Sequence, residues 1–151
     1  MDAFSVALNE SITETYNNVM RVETEALKKS GKIHLSINEM HLIECVGKHG
    51  PDGCTVSEIA AGLNITRPSA TVAVNKLEKK GYVTKIACEH DGRVVKVRLT
   101  REGKKIDAYH SYYHRHMVRE MTKDMTDEEK AILLSATKKL NEFFKQSIGD
   151  I

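Results

Sequence analysis

The order of elements between Thr55 and Thr100 constrains this chain more than anything else in it: two short amphipathic helices, then two strands across a polar turn. Thr55-Val56-Ser57-Glu58 is a capping box, in which the Thr hydroxyl and the Glu carboxylate satisfy backbone donors left open at a helix start. Val56, Ile59, Ala60 and Leu63 then share one helical face. Asn64-Ile65 breaks the pattern. Thr66 can cap a second helix whose first turn accepts Pro68. Its buried stripe is Ala70, Ala73, Val74 and Leu77, and Gly81 ends it. Arg67, Ser69, Thr71, Val72, Asn75, Lys76 and Lys79 are left facing out.

Tyr82 to Cys88 reads as one strand, and Val95, Val97 and Leu99 alternate with Lys96 and Arg98 as a second with one wet face. Glu89-His90-Asp91-Gly92 is the turn, so Arg93 stands at the tip of a two-stranded wing. A second helix exposing short hydrogen-bonding side chains and cations suits the major groove of DNA. A long cation on a narrow projection suits the minor groove. The predicted element is therefore a winged helix-turn-helix.

Charge supports this through its distribution. The net formal charge of the 151 residues is only +2, but residues 66–100 hold eight Lys and Arg against three Asp and Glu. Residues 35–65 hold one against four. The basic excess falls where phosphates would lie. Cys45, Cys54 and Cys88 are odd in number and widely spaced, which indicates neither a disulfide framework nor a zinc knuckle. With no signal peptide and no apolar run near the ~20 residues that cross a bilayer, a cytoplasmic protein with no membrane partner is expected.

Residues 3–29 form an amphipathic helix carrying Phe4, Leu8, Ile12, Val19, Val22 and Ala26, ended by Gly31. Ser36-Ile37-Asn38-Glu39 opens another by a capping box, with Met40, Ile43 and Val46 facing the core and His49 to Gly53 as the loop after it. Thr100 caps a long helix to about Met121, with Ile106, Tyr109, Tyr113, Met117 and Met121 on one side. Met125 to Glu129 restarts a last helix carrying Leu133, Ala136, Leu140 and Phe143. The predicted fold is mainly α with a small β wing. Residues 35–100 are the DNA-binding domain; residues 1–34 and 101–151 are helices whose apolar faces need a second copy, making an intertwined dimerisation region.

Asp91-Gly92-Arg93, followed by Leu99-Thr100, resembles the wing signature of the MarR family of transcriptional regulators, and the helical order on both sides is similar over essentially the whole chain. Ile37 to His41, Arg93 to Val95, and His110, His114, Met117 and Val118 look like the FabT branch, repressors of fatty-acid synthesis. The resemblance implies a homodimer gripping an inverted-repeat operator in double-stranded DNA, with recognition helices ~34–36 Å apart and half-sites ~10 base pairs apart. It implies base or phosphate contacts from Arg67, Pro68, Ser69, Thr71, Asn75 and Lys76. It also implies minor-groove entry by Arg93, oriented by Asp91. Where most wings of the family carry Arg this chain has Gly92, which removes one phosphate contact per protomer.

The effector leaves alternatives open. His110 and His114 stand one turn apart, and His41 lies on an earlier helix with Cys45 one turn on. Two His at i and i+4 can hold one metal ion, and His41, His110 and His114 look like zinc ligands of the AdcR branch. Glu23 and Glu25 lie nearby in register. The simpler expectation is no cofactor, with His41, His110, His114, Tyr113 and Met117 lining an effector pocket. The FabT resemblance implies acyl carrier protein bearing a long-chain acyl group as co-regulator; a small phenolic effector is the other family option. No reactive Cys precedes Cys45, which argues against the oxidant-sensing branch. Among other classes, an enzyme is disfavoured, with no catalytic residues: there is no Gly-rich phosphate loop, no Gly-x-Ser-x-Gly and no His-Glu-x-x-His. A winged helix that binds protein instead of DNA remains the competing class.

Overall fold

The computed structural model describes residues 2–29, 34–88 and 94–149. Six α-helices and three short strands follow in the order α1 (Ala3–Lys29), α2 (Ile37–Lys48), β1 (Cys54–Thr55), α3 (Val56–Leu63), α4 (Arg67–Lys79), β2 (Val83–Ala87), β3 (Val95–Leu99), α5 (Arg101–Thr122) and α6 (Asp127–Gly149), with a 3-10 turn at Gly50–Asp52. The fold is mainly α with a small antiparallel wing, as the sequence predicts. Among the described residues, no helix is long and apolar enough to cross a membrane. The chain divides into two compact units, Met1–His110 and Ser111–Ile151.

In the first unit α2, α3, α4 and the sheet enclose the core. Met40, Leu42, Ile43 and Val46 of α2 meet Ile59 of α3, Ala70, Val74 and Leu77 of α4, and Val83 and Val97 of the sheet. Local signals set the helix starts. Glu39 N–H donates to Ser36 Oγ while Ser36 N–H donates to the Glu39 carboxylate, closing the capping box of α2. Thr55 and Glu58 repeat it for α3, and Thr126 and Glu129 for α6. Thr100 caps α5 by accepting from Gly103 N–H.

The sheet departs from expectation in two ways. It has three strands in the order β1-β3-β2, where the sequence predicts two. Cys54 pairs with Val97 and Thr55 with Lys96, a two-residue strand too short to show any alternation. Val95 is exposed and Leu99 half-buried; only Val97 is sealed. Val95 pairs with Ala87 at the outer end of the hairpin, beyond the reach of the helices. Two glycines sit where backbones nearly touch. Gly53 has φ +68°, and a Cβ there would lie 2.3 Å from the Val97 carbonyl oxygen. A Cβ on Gly103 would lie 2.0 Å from the Tyr82 carbonyl oxygen, so α5 can leave the sheet at this angle only with Gly in its first turn.

Apolar side chains stand in water along α1 and α6. Phe4, Tyr16, Val22, Ile132, Phe143 and Phe144 are all exposed, Phe4 by 73%. All of α6 from Asp127 to Lys145 is exposed, with no buried stripe.

Candidate nucleic-acid interface

Helix α4 is held by its neighbours before it can hold anything else. Asn64, at φ 52° and ψ 47°, takes the left-handed conformation that ends α3, one that Asn tolerates better than most side chains. Ile65 N–H returns to the Ala60 carbonyl. Thr66 then caps α4, accepting from Ser69 N–H, with the two hydroxyls 2.9 Å apart. Ala70, Val74 and Leu77 are fully buried, so the opposite side of α4 faces solvent.

Arg67, Pro68, Ser69, Thr71 and Lys76 are exposed on α4, and Asn75 is half-buried. Several are engaged within the protein. The Thr71 hydroxyl donates to the Arg67 carbonyl, leaving its oxygen to accept from a partner. The Asn75 amide oxygen accepts from Lys85 Nζ, so a base edge would meet its NH2 donor first. Bidentate reading of adenine by Asn75 requires Lys85 to let go. Lys85 also pairs with Glu78 at 3.0 Å, tying the wing strand β2 to the recognition helix. This cation was not anticipated; its signal in the sequence was only one Lys in a short strand. Asp91 and Arg93 lie outside the described residues, as does the rest of the 89–93 turn.

Behind α4 lies an anchor. The Glu39 carboxylate, with only 7% of its side chain exposed, accepts from Lys80 Nζ at 2.8 Å and pairs with Lys76 Nζ at 3.2 Å. Burial alone would raise the Glu39 pKa. Hydrogen bonds from Lys80, the Ser36 N–H and Lys76 overrule it and hold the group down at about 2. Lys76 is thus shared between a protein carboxylate and the outer face of α4.

Glu23, His41 and His110 converge from three different helices, with one ligand atom of each within 4.8 Å of the others. His41 Nε2 stands 3.9 Å from Glu23 Oε2, and the two imidazole rings meet edge-on at 6.1 Å. Glu44 Oε2 lies 3.6 Å from His110 Nδ1. Of the alternative trio His41, His110 and His114, the first two lie together, and among the described residues the third group beside them is Glu23. His114 follows His110 by one helical turn, ~6 Å along α5, and in the second unit its ring packs edge-on against Tyr113. Of the expected pocket residues, His41 lines a groove of about 720 Å³ with Leu42, Leu63, Ile65 and Lys76, alongside α4. Tyr113 and Met117 are half-buried in the second unit.

The comparisons with known proteins agree with this architecture. The model of the MarR family matches residues 35–94. FabT of Streptococcus pneumoniae, solved as a crystal structure in complex with DNA, is 34% identical; the match covers 94% of this chain and 98% of FabT at a TM-score of 0.89. The HTH-type transcriptional regulators YfiV and YhjH of Bacillus subtilis (strain 168) are each 31% identical. The match to YfiV runs over 111 residues, 68% of either chain. That to YhjH covers 58% of this chain, which spans only about half (49%) of YhjH's length. Winged helix, helical flanks and these relatives converge on one assignment: the chain belongs to the MarR family of transcriptional regulators.

Proposed function

We propose that this chain is a dimeric repressor that reads an inverted-repeat operator through α4. The observation that carries the reading is α4 itself, sealed on one side by Ala70, Val74 and Leu77, studded on the other with Asn75, Lys76 and Lys79, and carrying an exposed Arg67 at its start. The 34% identity with FabT, a protein solved on DNA, supports it. The uncovered apolar side chains along α1, and separately along α6, support a second copy, because long helices with exposed apolar faces want a partner to bury them.

A mobility shift with the DNA upstream of its own gene tests the reading. A specific complex is expected, and Arg67→Ala should lower discrimination at particular base pairs by roughly 1–3 kcal/mol each while leaving other positions alone. A chain that binds its own upstream DNA no better than random duplex would refute the assignment. The FabT likeness further supports control of fatty-acid synthesis genes with acyl carrier protein, loaded with a long-chain acyl group, as co-regulator. Acyl-loaded carrier protein should then shift operator affinity, whereas the unloaded carrier should not.

The Glu23–His41–His110 cluster favours a second reading, a zinc-responsive regulator. One carboxylate and two imidazoles are a donor set that zinc accepts, leaving a fourth position open. Bound ligand atoms would sit roughly 3.4 Å apart around ~2 Å bonds, so the three groups need only small side-chain rotations to close on an ion. Equilibrium dialysis should find one zinc per chain, weakened more than about tenfold by His110→Ala. Stoichiometry near zero in the unaltered protein removes this reading and leaves the DNA-binding one untouched.

A further inference from the structure

Val72 occupies the outermost position of the recognition helix. At ~100° per residue the buried side chains Ala70, Val74 and Leu77 centre on one direction of α4, and Val72 lies close to the opposite direction, beside Pro68 and Lys79. It is 67% exposed, while those three are sealed completely. A β-branched residue in the middle of an exposed helical face is a poor choice for the helix itself, losing rotamer freedom with only partial burial, at the edge of the groove it lines with Pro68 and Ile65, to offset it. Its neighbours show what the position faces. Pro68 precedes it by one turn to make an apolar strip, and Ser69, Asn75, Lys76 and Lys79 flank that strip with cations and hydrogen-bonding groups. That arrangement matches a major-groove floor, where the one apolar group on offer is the C5 methyl of thymine.

We propose that Val72 is a specificity-determining residue that packs its methyl groups against a thymine methyl in each half-site. The inference rests on α4 reading DNA, as proposed above, and adds which base it selects. Arg67 and Lys76 hold phosphates or base edges around it; Val72 supplies the contact that a cytosine, lacking the methyl, cannot satisfy. Singly exposed apolar residues are ordinary on protein surfaces, so the distinction must come from the DNA side.

The experiment enriches bound duplexes from a random library, then remakes the preferred duplex with deoxyuridine in place of thymine at one position at a time. This removes only a methyl and keeps every base-pairing group. For the unaltered protein, at least one thymine per half-site should show about a fourfold loss of affinity, the worth of one methyl returned to water, and about 16-fold when both half-sites are changed. Val72→Ala, at an exposed helical position where Ala is well tolerated, should bind the thymine and uracil duplexes within about twofold of each other. Indifference of the unaltered protein to uracil at every position overturns the assignment, as does an undiminished uracil penalty in Val72→Ala. If no duplex is enriched at all, the DNA-binding reading falls and this one with it; a preferred duplex that tolerates uracil throughout removes the thymine contact alone.

Discussion

Raising the salt from about 50 to about 200 mM should loosen the complex of the proposed dimer with its operator by ~10³–10⁵-fold, if that dimer neutralises six to ten phosphates. Each neutralised phosphate releases condensed counterions, and that entropic gain shrinks as bulk salt rises. The cations available in one protomer include Arg67, Lys76 and Lys79 on α4 and Lys85 and Lys96 on the wing strands. Two are already partnered, Lys76 by Glu39 and Lys85 by Glu78. Ion pairs of lysines this open to water are worth only about 0–1 kcal/mol, so a phosphate can displace the carboxylate or share the ammonium. Titrations at four or five salt concentrations give the slope of log affinity against log salt. Lys79→Ala should make that slope shallower by about two in a dimer, one contact per protomer, while the ranking of operator sequences stays the same. A slope near zero would instead mark the winged helix as a protein-binding module.

The parts of the fold that were legible in the sequence are those encoded by neighbours. Ser36 with Glu39, Thr55 with Glu58, and Thr126 with Glu129 announce helix starts because each box closes within four residues, and all three close in the structure. The stripes on α2 and α4 follow from helical spacing, and Leu42 was missed because α2 is buried on more than one face. Long-range features were not legible. Cys54–Thr55 becomes a strand only because β3 lies beside it, 43 residues on from Cys54 to Val97. Glu23 joins His41 and His110 from α1; register along the chain placed Glu23 and Glu25 nearby, but only the packing of three helices decides that Glu23 closes the cluster. The internal partners of Asn75 and Lys76 escaped notice for the same reason: an outward-facing polar residue looks uncommitted until the strand or helix beside it is in place.

Glu39→Gln should destabilise the protein by about 2 kcal/mol at neutral pH and flatten its response to acid. The carboxylate has an ordinary value near 4.5 and is held at about 2 in the fold. At full value such a depression is worth about 3 kcal/mol. Because the Lys76 side chain is 61% exposed, part of that is screened by water, which brings the expectation to about 2. The sign follows from the direction of the shift. A carboxyl that releases its proton more readily when folded stabilises the fold fully above about pH 5, and the contribution fades as acid protonates it down to about pH 2. Urea midpoints for both proteins, taken at intervals from pH 7 to pH 2.5, should therefore converge as the pH falls. Glu58, Glu78 and Glu129 are also held below their ordinary values, but being exposed they leave only a shallow slope common to both proteins. Parallel curves separated by a constant gap would show that Glu39 acts through packing and capping geometry, with its charge irrelevant. Operator binding should move the other way. Gln cannot compete for the Lys76 ammonium, so the folded variant should bind DNA as well as the unaltered protein or up to about fivefold tighter. Loss of stability together with retained or improved affinity is a combination that simple misfolding cannot produce, and it would establish Lys76 as divided between holding α4 on its scaffold and holding the phosphate backbone.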